Sequence, residues 1–264
     1  MTVTLTYDTT LSRVRVAAAS LDAAAETATV ERSTDLVRWT TVRGAVEVAV
    51  TGGSMATVDD YEFAADVANH YRITAYDGSA VQTDQETEDI TPTLGAVWLK
   101  SIGRPFLNLA VSVGGVSSRS RPGRAGIFDV KGRSDPVAVT EVRGSPRWTM
   151  TVRTGTAAEA RALELLLASG DLLLVHVPAT STVPGGYVIV GDTAEHRFGA
   201  VSARRRWDLP LTAVAAPAAD VVGSTVTCQA ILNHFATCTA LLAEFATCAD
   251  VLEFVADPED VIVP

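Results

Sequence analysis

The residue types able to do chemistry are sparse in this chain. Histidines stand at 70, 176, 196 and 234, and cysteines at 228, 238 and 248. Cysteines ten residues apart lack the C-x-x-C spacing that turns two thiolates onto one zinc ion, and no histidine cluster accompanies them. Their equal spacing reads as packing by small, weakly polar side chains, so no metal or other cofactor is expected. Asp59 with Asp60, and Glu86 with Glu88 and Asp89, are carboxylate clusters without the regular oxygen-ligand loop of an EF-hand; solvated surface is expected at both. His176 falls in an apolar run, where a hydrogen-bonded structural histidine is expected. No G-x-S-x-G, H-E-x-x-H or phosphate-loop pattern occurs. No catalytic residue is therefore assigned, and the sequence predicts a protein that is not an enzyme.

Arginine supplies the remaining candidates. Arg119, Arg121 and Arg124 sit in a Ser-, Pro- and Gly-rich stretch, and Arg204, Arg205 and Arg206 form a second run. Crowded guanidinium groups suit phosphate or carboxylate partners. Two readings follow: contact with genomic DNA in transit, or an assembly interface in which a projecting loop pairs with an acidic neighbour. The charge distribution favours the second. Residues 1–91 carry 15 acids and 6 bases, residues 92–206 carry 8 acids and 15 bases, and residues 207–264 carry 8 acids and no base. The net charge of -10 opposes generic nucleic-acid binding, whereas a basic segment between two acidic ones suits contact between copies. Lysine occurs only at 100 and 131, against nineteen arginines, which is the coding of a GC-rich genome.

The elements that must hold these side chains are mainly β. Val3, Leu5 and Tyr7 alternate with polar residues, as do Val14 and Val16, and Val46, Val48 and Val50; period two puts each set on one buried face. Ser33-Thr34-Asp35 is a turn ahead of a strand-like run over 37–42, Thr51-Gly52-Gly53-Ser54 is a second turn, and Asp77-Gly78 has type I′ hairpin chemistry. Short strands at this spacing predict an immunoglobulin-like sandwich over residues 1–91. Its strand Tyr71-Arg72-Ile73-Thr74-Ala75-Tyr76 is similar to one in fibronectin type III domains, with Trp39 as a candidate core aromatic.

Residues 92–216 predict a β-sandwich or split barrel with a single helix. Trp148, Met150 and Val152 alternate, as do Trp207, Leu209 and Leu211, and two further strands fall over 172–177 and 187–190. Thr156-Ala157-Ala158-Glu159 is a capping box, Leu163, Leu166 and Leu167 form the apolar stripe behind it, and Gly170 stops the helix. Gly114-Gly115 and Gly185-Gly186 read as turns.

Residues 217–264 read as a linker and a ten-residue helical repeat starting at Thr227, Thr237 and Thr247. Each unit is about two helical turns, too short to be stable alone in water, so its apolar edge must bury against something. Leu232 with Phe235, Leu242 with Phe245, and Leu252 with Phe254 are expected to form a partner-binding arm. Residues 221–243 carry no formal charge but are too polar for hydrocarbon, and no membrane insertion is expected. Residues 2–7 alternate where a secretory signal would need an unbroken apolar run.

Val142-Arg143-Gly144, Arg147-Trp148, the Ala- and Glu-rich helix ending at Gly170, Tyr187-Val188-Ile189-Val190-Gly191-Asp192 and Arg206-Trp207-Asp208-Leu209-Pro210-Leu211-Thr212 follow one another in a distinctive order. So do Trp98-Leu99-Lys100-Ser101 and Arg104-Pro105-Phe106-Leu107-Asn108 ahead of them. This series resembles minor tail proteins of phages that infect actinobacteria. The resemblance implies a distal-tail-like structural component made in the host cytoplasm and placed at the virion's tail tip, with a tube-related β-domain that forms a ring. It implies a homo-oligomer, six copies first and three second, with other phage tail proteins as partners and genomic DNA passing through the ring. The alternative is a module that binds carbohydrate or protein on a host surface.

Overall fold

Runs in which every second residue is apolar pair into strands because that pattern buries one face of a sheet and leaves the other wet. The computed structural model describes residues 1–129, 131–199 and 201–219, and among them it is mainly β, with one α-helix. The ten-residue repeats, including Leu232, Phe235, Leu242, Phe245, Leu252 and Phe254, lie outside the described residues.

The first module contains β1 (Thr2–Asp8), β2 (Arg13–Ala19), β3 (Thr27–Ser33), β4 (Thr40–Thr41), β5 (Val48–Thr51), β6 (Ser54–Met55), β7 (Val58–Asp60), β8 (Asn69–Tyr76) and β9 (Gln82–Ile90). β2 pairs with β1 and β7, β3 pairs with β4 and β8, and β9 lies outside β8. The short β5–β6 hairpin joins the two halves, because β5 pairs with β3 and β6 with β2. Val14, Val16, Ala28, Val30, Tyr71, Ile73 and Ala75 fill the space between them and are fully buried.

Several expectations change here. Type I′ geometry needs left-handed backbone at both central residues, and Gly52 (φ +59°) and Gly53 (φ +73°) supply it between β5 and β6. Asp77-Gly78 instead opens a longer loop. There the Asp77 carboxylate accepts from the N–H groups of Ser79 and Val81, and Ala80 carries the positive φ. The 37–42 run is mostly loop: Asp35 accepts from the N–H groups of Val37 and Arg38, and only Thr40 and Thr41 pair. That loop keeps Trp39 out of the core, where Arg72 stacks 4.2 Å from its ring; Tyr71 and Phe63 are the buried aromatics. Val46 is exposed, because Glu47 (φ +53°) breaks the alternation before β5 begins.

The second module contains β10 (Val97–Ser101), β11 (Leu109–Val116), β12 (Ala125–Phe128), β13 (Val137–Thr140), β14 (Arg147–Thr154), α1 (Ala157–Ala168), β15 (Leu173–His176), β16 (Gly186–Val190), β17 (Ala194–Arg197) and β18 (Arg205–Ala213). The antiparallel order β14-β11-β10-β15-β16-β18 closes on itself, because β14 also pairs with β18 along its whole length. A closed ring of strands has no free edge along the circuit. Leu99, Met150, Val152, Val188, Leu209 and Leu211 occupy its core together with Leu163 and Leu166 of α1. Thr156 caps the helix by accepting from the Glu159 N–H at 3.1 Å, Glu159 accepts in turn from the Gly155 N–H, and Gly170 (φ +68°) follows the last turn. Gly114 and Gly115 form no turn. They lie in β11 at a bulge, with the Arg153 side chain laid over Gly114 where a Cβ would sit. Among the described residues no helix is long and apolar enough to cross a membrane.

Candidate functional site

Two places concentrate polar side chains. The first is the junction between the modules. Along β10 alternation sends Leu99 into the barrel, which leaves Trp98 and Lys100 on the outer face, where the first module covers them. The Lys100 ammonium is buried and donates to the carbonyls of Ser12 (2.6 Å) and Tyr61 (2.8 Å), 4.8 Å from the Phe63 ring. Burial lowers its pKa to about 7, against the opposing pull of Asp60 and Glu62.

Asp60 is not the solvated carboxylate expected from the sequence. Only 3% exposed, it accepts from the Arg32 guanidinium, from the Tyr71 hydroxyl at 2.7 Å and from the Glu62 N–H at 2.8 Å. Burial alone would push its pKa up, but Arg32 and these hydrogen bonds hold it below the ordinary carboxylate range. Asp59 is paired as well, with Arg13 and Arg15. Glu62 accepts from Arg43 of its own module and from the Tyr187 hydroxyl of the other. Asp66 accepts from the N–H groups of Leu94 (3.3 Å) and Ala179 (2.8 Å).

His176 lies opposite Trp98, with its ring edge-on to Phe63 at 4.7 Å. It is buried as expected but not satisfied. The Phe63 backbone is close, yet neither ring nitrogen has a hydrogen bond of normal geometry. Burial first and the Lys100 charge second lower its pKa to about 3. A cleft of about 770 Å³ runs along the same junction, edged by the exposed Leu11, Val46 and Phe106; of its carboxylates, Asp59, Asp60 and Glu62 are in ion pairs, and Glu47 makes none among the described residues. This network fixes one module against the other. The sequence singles out Asp60 and His176 but not their meeting here, and Lys100, one of two lysines against nineteen arginines, points only to base composition.

The second place is a long hairpin. Beyond the β11 bulge the chain keeps pairing with the start of β14 and the residues before it: Ser117 donates to Thr149, Ser120 and Arg147 bond to each other, and Gly144 donates to Pro122. β12 and β13 continue the ladder as a separate two-stranded sheet. Val137 and Val139 are exposed on one face with Phe128, whose ring lies over Gly126, and Ile127 is exposed on the other. Arg119 is held against the Trp148 ring at 5.2 Å. Arg121 and Arg124, like Lys131, Arg133 and Arg143 nearby, make no ion pair or side-chain hydrogen bond among the described residues.

Arg204, Arg205 and Arg206 do not join this group. β14 meets the hairpin at Arg147, but Arg205 and Arg206 pair with Thr154 and Arg153 at its other end, about 23 Å away at ~3.3 Å per residue. Arg205 is bound to Glu195 at 2.6 Å and Arg206 to Asp208 at 3.2 Å, which leaves Arg204 as the cation of that run without an ion pair among the described residues. No family model matches the chain, and no curated protein matches it in sequence.

Proposed function

We propose that this chain is a structural component of a bacteriophage tail tip, a distal-tail-like protein whose copies form a ring between the tail tube and the receptor-binding apparatus. The observation that carries the reading is the hairpin over residues 117–147. It extends from a closed barrel with apolar residues on both faces and with Arg121 and Arg124, which make no ion pair among the described residues. An isolated two-stranded sheet is marginal in water, so this one is built to be covered. Pairing within the first module supports a fibronectin type III-like sandwich, with β1, β2 and β7 on one side and β4, β3, β8 and β9 on the other. The closed barrel with its single helix supports the tube-related reading of the second. Six copies are favoured over three, by the resemblance to tail-tip rings, and other tail proteins are the partners.

Negative-stain imaging of the purified protein, with its mass from light scattering, tests this. A ring with an open centre is expected. Monomers at every concentration would overturn it.

A further inference from the structure

The hairpin requires a receiving surface, and the first module carries one with matching charge. β9 is an edge strand: β8 pairs with one side of it, and β1 comes near it without a hydrogen-bonded ladder. Register places Asp84, Glu86 and Glu88 opposite Ala75, Ile73 and Tyr71, on the core side of the sheet, with Asp84 and Glu86 half-buried and Glu88 exposed. Asp84 is engaged by the Asp22 N–H, whereas Glu86, Glu88 and the neighbouring Asp89 make no ion pair or side-chain hydrogen bond among the described residues. Inward-pointing charges are a common guard on an edge strand, since another strand laid there would bury them. Such a guard rejects an acidic or neutral strand and accepts one that brings cations.

The hairpin brings them. Residues 117–147 hold seven bases and three acids, while β9 holds four acids and no base. Apolar residues also stand at both ends of the receiving edge, with Val81 59% exposed just before β9 and Val67 42% exposed beside its far end. Within one chain the two charged elements do not meet: no hydrogen bond or ion pair joins them among the described residues.

We infer that the hairpin of one copy docks along the β9 edge of the first module of the next copy, setting Arg121 and Arg124 against Glu86 and Glu88 and covering Phe128, Val137 and Val139. The inference rests on the self-assembly proposed above and adds the surface that receives the hairpin. Because donor and acceptor are different surfaces of the same chain, the contact is head-to-tail, the kind that generates rings when the rotation closes.

Charge exchange in the full chain tests it. One variant carries Glu86→Arg with Glu88→Arg, a second carries Arg121→Glu with Arg124→Glu, and a third combines all four. Each of the first two is expected to weaken self-association by about tenfold or more at low salt, and the third to recover most of the loss, with circular dichroism unchanged throughout. If the arginine substitutions at β9 disturb the fold, Glu86→Gln with Glu88→Gln takes their place and is expected to weaken assembly less. Wild-type rings with loss in the hairpin variant alone would overturn the β9 contact and leave the ring reading standing. A wild-type chain that stays monomeric would overturn both. Loss in both double variants without recovery in the combined one would show that the two surfaces meet different partners, and would overturn the pairing.

Discussion

The junction and the hairpin are built from similar residues and treat them in opposite ways. At the junction Arg32, Asp60, Arg43, Glu62, Lys100 and Asp66 are each bonded within the chain. On the hairpin Arg121, Arg124 and Phe128 stand in solvent. Burying an unpaired charge costs several kcal/mol, so a chain that buries ions must supply every partner itself. Surface ions cost little and remain free for another molecule. The contrast separates the contacts that hold this molecule together from those it offers outward.

Breaking the junction has the largest effect. Asp60→Ala leaves the Arg32 guanidinium, whose side chain is 18% exposed, without its carboxylate, and is expected to lower unfolding free energy by about 3 to 5 kcal/mol in urea titrations. A loss below about 1 kcal/mol would show that the site is wetter than its geometry implies.

Lys100 comes next. Its folded-state pKa of about 7 lies below the ordinary 10.5, so between those values the unfolded chain binds a proton that the folded chain lacks, and stability rises with pH. One proton is worth about 1.4 kcal/mol per pH unit, a gain of roughly 2 to 3 kcal/mol between pH 7 and 9. Lys100→Met should flatten that rise. His176 acts on the acid side with the same sign. Its pKa of about 3, against 6.5 unfolded, makes stability fall as the pH drops from 6.5 toward 3. The His176→Phe variant should lose up to about 2 kcal/mol less than the parent between pH 6 and 4.5, measured by thermal unfolding. A parallel pH profile for the parent and this variant would mean that the histidine titrates normally.

The smallest effect on the monomer sharpens the contrast most. Ile127→Ser with Phe128→Ser should change unfolding free energy by no more than about 0.5 kcal/mol, because both side chains are more than half exposed. The same pair should abolish self-association in sedimentation. A drop of several kcal/mol would place the hairpin within the protein's own core.

Local pattern carried the sequence reading wherever one neighbour decided the outcome. Alternation located β2, β8, β14 and β18, and Thr156, Glu159 and Gly170 delimited α1, because pairing with a sheet or a cap follows from spacing along the chain alone. The same logic failed where a side chain answered to a distant segment. Asp60 read as surface because Arg32 and Tyr71 lie 28 and 11 residues away. Trp39 failed for a local reason instead: the turn at Asp35 was legible, but it runs on through Val37 and Arg38 where the apolar run had suggested a strand.

The sequence by itself determined a mainly β chain with one helix, and it marked a basic middle segment with Arg119, Arg121 and Arg124 in a stretch apart from the apolar runs. Only the tertiary structure decided that Arg119 lies against Trp148 while Arg121 and Arg124 make no ion pair among the described residues, that Arg205 and Arg206 are already paired, and that Lys100 is sealed between two modules. Charge along a chain is a property of composition, whereas burial and partnership depend on which strands close the barrel and which face the junction covers, and those are set by contacts between residues far apart in sequence.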